Sequence, residues 1–123
     1  MVGYKLLIDG KLVDGAGGVI DVINPATEMS FAQCPVANEA QLNEAVAAAK
    51  AAFPAWAAQP LKERAAMIDR IGDRLMDRGD EFTHLLTTEQ GKPTAQAKFE
   101  VIGAAMVLKS FAEMLLDPVV LRD

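Results

Sequence analysis

Few side chains in this sequence are of types that do chemistry, and their spacing decides what each can do. Two glycine stretches invite comparison with phosphate cradles. Gly15-Ala16-Gly17-Gly18 opens like a dinucleotide fingerprint, but Ile20 stands where the third glycine is required. The residues that follow read as a strand, whereas a pyrophosphate needs the positive end of a helix there. The stretch therefore reads as a flexible hairpin loop. Gly91-Lys92 fails as a P-loop, because Pro93 takes the place of the magnesium-binding Ser or Thr and no glycine precedes it at the needed spacing. It reads as a helix stop.

Cys34 is the one cysteine. A nucleophilic thiol needs a base, a cationic neighbour or a helix N-terminus beside it. Its local sequence, Ala32-Gln33-Cys34-Pro35, supplies none, so a half-buried structural thiol is expected. His84 is the one histidine, and without His or Cys partners it cannot build a metal site. It reads as a surface or structural residue. The carboxylates mostly alternate with Lys or Arg, so Asp69 with Asp73, and Glu63 with Arg70, read as solvated helix surface. Phe53, Trp56, Met67 and Met106 read as core. No catalytic pair or triad and no cofactor-binding set emerges.

Charge narrows the partners. The net charge of −5 is spread along the chain with no basic block. Phosphate neutralisation needs clustered Lys or Arg, which argues against nucleic acid and against an anionic membrane surface. A lone cysteine fits a reducing compartment. The N-terminal residues reach Lys5, Asp9 and Lys11 without an apolar signal core, and the uncharged run Val101 to Leu108 is far too short to span a bilayer. The cytoplasm is the expected location.

The elements that must position these groups change character along the chain. Asp9-Gly10 between two apolar runs predicts a tight hairpin, since both residues tolerate positive φ. Val19 to Ile23 is rich in β-branched residues and predicts a strand. Asn24-Pro25-Ala26-Thr27 breaks it, and a second strand is expected over Ser30 to Cys34. Asn38 followed by Gln41 predicts a capping box. Leu42, Ala45, Val46, Ala49 and Phe53 then recur at helical steps, with Pro54 as the expected stop. Pro60 suits the first turn of a second helix with Leu61, Ala65, Ile68, Ile71 and Leu75 as its stripe. Gly79 ends or bends it, and Asp80 is the expected cap of a short third helix. Gly91 caps that helix at its C-terminus, and Pro93 prevents continuation. Thr94 is the expected cap of a last helix reaching about Leu116, with Phe99, Ile102, Ala105 and Met106 turned to a core.

The expected fold class is mainly α with N-terminal β-hairpin strands, an α+β fragment. Residues 1–36 form a strand segment and residues 37–123 a helical segment of a single, incomplete domain.

Several stretches together resemble the N-terminal part of the NAD(P)-dependent aldehyde dehydrogenase superfamily. They are LLIDGKLVDG, VIDVINPAT, VANEAQLNEAVAAAKAAFPAWAAQPLKERAAMI and LLTTEQGKPTAQAKFEV. Their order and spacing match from Leu6 to about Leu116. The usual family turn reads Asn-Pro-Ala-Thr-Gly-Glu, whereas here Glu28 follows Thr27 directly. The resemblance implies an oxidoreductase several times longer than this chain, with a doubly wound α/β cofactor domain, a catalytic domain and an oligomerisation hairpin. Its cysteine nucleophile attacks the aldehyde, hydride passes to NAD or NADP, and a glutamate-activated water releases the acid. The segment matched here brings no catalytic group, and Cys34 is not that nucleophile. The chain is then expected to be a truncated part of such an enzyme, without cofactor of its own and inactive alone. Its expected partners are the rest of the enzyme chain and further copies of itself through exposed apolar faces. Some members of that superfamily hold a structural monovalent cation near this region, which would fall on the Ile23 carbonyl and Glu100 here; the alternative for Glu100 is a helix-surface or packing hydrogen bond. The alternative is a free-standing helical interaction module derived from the same family.

Overall fold

The computed structural model describes residues 4–114. The described chain runs as four strands followed by four helices, and it falls into two compact units. Of the described residues, 4–58 and 86–91 form one unit, and 59–85 and 92–114 the other.

In the first unit, β1 (Leu6–Ile8) and β2 (Lys11–Val13) pair antiparallel, with Ile8 opposite Lys11. Asp9 at φ 50° and Gly10 at φ 72° make the two-residue turn, as the Asp-Gly pair requires. A second antiparallel pair joins β3 (Val19–Asn24) to β4 (Met29–Pro35). Its register shifts by one residue beside Val22 and Ile23, a β-bulge. The Asn24 side chain accepts from the Ala26 amide at 2.9 Å, and the Asn24 carbonyl accepts from Glu28 at 2.8 Å. That closes the turn, with Glu28 at φ 59° in the left-handed region that favours glycine.

The loop expected to be flexible is tightly packed instead. A Cβ on Gly15 would lie 2.5 Å from the Val36 carbonyl oxygen, and one on Gly17 would lie 2.8 Å from that of Ala37. Gly17 donates to Val36 and Val36 donates to Gly18, at 2.8 and 2.9 Å. The glycines are there so that two backbones can touch.

Helix α1 (Glu39–Ala58) starts at the predicted capping box. The Asn38 side chain accepts from the Gln41 amide at 2.9 Å, and Gln41 reaches back to the Asn38 amide at 3.2 Å. The helix does not stop at Pro54, which lies inside it. Residues 50–58 are all exposed, so water can satisfy the Lys50 carbonyl that the proline leaves without a donor. The face of α1 turned to β1 carries Ala45, Ala48 and Ala52, over the buried Ile8. The larger Leu42, Val46 and Phe53, expected in a core, are exposed, Phe53 by 65%.

In the second unit, α2 (Leu61–Asp77) begins after Pro60, which occupies the cap position without a side-chain bond. Its half-buried face is Ala65, Ile68 and Leu75, with Gly72 fully buried; Leu61 and Ile71 are exposed. Helix α3 (Gly79–Gln90), of which residues 79–85 belong to this unit and 86–90 to the first, starts one residue before Asp80, so Asp80 lies in its first turn rather than capping it. There its charge favours the positive helix end. The Thr83 hydroxyl donates to the Gly79 carbonyl at 2.7 Å. The helix closes on Gly91 at φ 70°, whose amide donates to Thr87.

Helix α4 (Thr94–Glu113) is capped by Pro93, not Thr94, and no side chain bonds its first turn. The expected end near Leu116 and Pro118 lies outside the described residues. Its buried stripe is Ala97, Val101, Ala105 and Ala112. Phe99 and Met106, expected inward, are 79% and 62% exposed. The helix lies against α2 where Gly72 meets Ala105, and only small residues allow two helices so close. Backbone proximity, not side-chain size, sets which face is buried.

Candidate functional site

The residues of reactive type lie on different elements, Cys34 on β4 and His84 on α3. Cys34 is exposed on β4 rather than half-buried, and its thiol reaches only its neighbour, the Pro35 carbonyl, at 3.8 Å. His84 is exposed on α3. Among the described residues no group of three or more His, Cys, Asp or Glu side chains could hold a metal ion. The Gly15–Gly18 segment leads into β3, and the Val36–Ala37 backbone fills the space a phosphate would enter. That segment does not fit a dinucleotide.

Ile23 sits on β3 beside the bulge, opposite Ser30. Glu100 sits on α4 and accepts an ion pair from Lys92, whose side chain is 28% exposed. The charge of Glu100 is thus matched within its own unit by the lysine of the Gly91-Lys92-Pro93 break. Gly91 meets the other family-like stretch: a Cβ added to it would lie 3.0 Å from Cγ of Pro25. The INPAT turn and the end of α3 are therefore packed on one another. A proline ring and a glycine can do that without any polar chemistry.

Two further charge clusters are structural. Lys109 lays its stem across Gly72, its Cγ 2.7 Å from where a Cβ would be, and its ammonium donates to Asp73 at 2.6 Å and to Asp69 at 2.9 Å. These hydrogen bonds, that to Asp73 foremost, raise the Lys109 pKa above its ordinary 10.5 and keep it a cation rather than a nucleophile. Asp69 and Asp73, one helical turn apart, were expected to be plain solvated surface; they are instead the two jaws of this clamp. Arg78 grips Glu81 with two bonds of 2.8 and 2.6 Å and lies 5.5 Å from the centre of the Phe82 ring. The hydrogen bond from Arg78 holds the Glu81 carboxyl below its ordinary 4.5. A cavity of about 360 Å³ opens beside this pair, floored by Val101 and Ile102 and rimmed by Asp80 and Lys98. Its charges face one another in pairs, with Lys98 3.8 Å from Asp80.

Sequence reasoning missed two joints. The signal for the first was present: a glycine flanked by Asp69 and Asp73 on α2, and a lone lysine in an otherwise apolar stretch of α4. The second is Gln41, which beyond its capping role accepts from the Ala16 amide and donates to the Asp14 carbonyl, both at 2.8 Å. Nothing local to Gln41 signals those distant partners.

The described residues are mostly helical, with two small antiparallel strand pairs. The aldehyde dehydrogenase family model matches residues 12–119, and the chain belongs to that family, of which it forms the N-terminal segment. It is 44% identical over 97 residues to the N-succinylglutamate 5-semialdehyde dehydrogenase of Chromobacterium violaceum, covering 79% of this chain and 20% of that one. It is 39% identical over 110 residues to the NADP+ succinate-semialdehyde dehydrogenase of Escherichia coli, covering 89% and 23%. In structure it is similar to an NAD-dependent benzaldehyde dehydrogenase from Corynebacterium glutamicum, with a TM-score of 0.86 at 31% identity over 94% of this chain and 25% of that one. The chain thus spans about a fifth to a quarter of the length of these relatives.

Proposed function

We propose that this chain is the N-terminal supporting segment of an NAD(P)-dependent aldehyde dehydrogenase acting on a semialdehyde, an aldehyde that also carries a carboxylate. The reaction consumes aldehyde, water and oxidised nicotinamide cofactor. It yields carboxylate, reduced cofactor and two protons. The chain's own residues hold shape and take no part in that transfer. The observation that carries this reading is the family match along residues 12–119. The semialdehyde preference rests on the two similar relatives, both of which are named for semialdehydes. The working partners are then the rest of such an enzyme and further copies of it, in the cytoplasm. Among the described residues no helix is long and apolar enough to cross a membrane. Any cation taking Glu100 as a ligand would have to displace Lys92 from its carboxylate.

The test is a graft. This chain replaces the matching segment of the Escherichia coli succinate-semialdehyde enzyme, and absorbance of the reduced cofactor is followed. The graft is expected to turn over succinate semialdehyde, while the chain alone neither binds NAD(P) nor reduces it. Turnover by the isolated chain would overturn the proposal, as would a graft that assembles like the parent yet is inactive.

A further inference from the structure

We draw no further inference here: the strongest candidate, the exposed apolar face of α4 around Gly103 with Phe99, Met106 and Val107, is unpartnered, and nothing in the structure shows what covers it.

Discussion

Two glycines on neighbouring helices do opposite things. At Gly72 an added Cβ would press on Lys109 Cγ at 2.7 Å and on the Ala105 carbonyl oxygen at 3.2 Å. At Gly103 it would meet nothing within 4 Å. Replacing a helical glycine by alanine gains about 1 kcal/mol from backbone entropy and propensity. Overpacking costs about 1–3 kcal/mol, and Lys109 cannot swing aside without leaving Asp69 and Asp73. Gly72→Ala is therefore expected to lose about 1 kcal/mol net, and Gly103→Ala to gain about 0.5–1 kcal/mol, in urea unfolding followed by circular dichroism. Equal effects at the two sites would contradict the close approach of α2 and α4. The lysine adds a pH signature. Its folded pKa lies above 10.5, so its contribution is complete below pH 10.5 and is lost as pH rises through the folded value. The melting temperature of the parent chain should fall more steeply above pH 10.5 than that of Lys109→Met. Parallel curves would mean the clamp contributes nothing.

The strand elements and the capping box were legible because their signals are local. Asp9-Gly10, Asn24-Pro25 and Asn38 with Gln41 each specify a turn or cap by what a few adjacent residues can adopt. The helix faces were less legible. Helical periodicity in α4 points equally to the stripe through Phe99 and Met106 and to the stripe through Ala97, Val101 and Ala105. Side-chain size favours the first, and the approach of the α2 backbone at Gly72 selects the second. Likewise Pro54 is a stop signal by its missing amide and ring clash, yet α1 runs through it where residues 50–58 are all exposed. The turn between β3 and β4 shows a local preference being overridden. Glu28 holds φ 59° without being glycine, against a left-handed penalty of roughly 1–2 kcal/mol for a side chain with a Cβ. Glu28→Gly relieves that penalty and also loosens the unfolded chain, so a net gain of about 0.5–1 kcal/mol is expected. Chemical denaturation measures it directly. A loss of stability would show that the Glu28 side chain supports the turn in a way its backbone angle does not reveal.

At the scale of the whole molecule, many large apolar side chains among the described residues are exposed. The buried apolar residues are small apart from Ile8 and Val101, and no large side chain among the described residues is fully buried. Leu42, Val46 and Phe53 on α1, and Phe99, Met106, Val107 and Phe111 on α4, all stand in the open. Exposed apolar patches of more than a few hundred Å² are rare on monomers and mark surfaces that are covered in use. The exposed apolar faces among the described residues fit the proposed role, a segment that lies under other structure. In isolation the chain is expected to bind an apolar-surface dye strongly in native buffer and to sediment as a concentration-dependent mixture. Grafted into the semialdehyde relative, the same faces should stop binding dye while cofactor reduction proceeds. A sharp monomer boundary with no dye signal would instead identify an independent module, complete without any cover, and the supporting role would have to be abandoned.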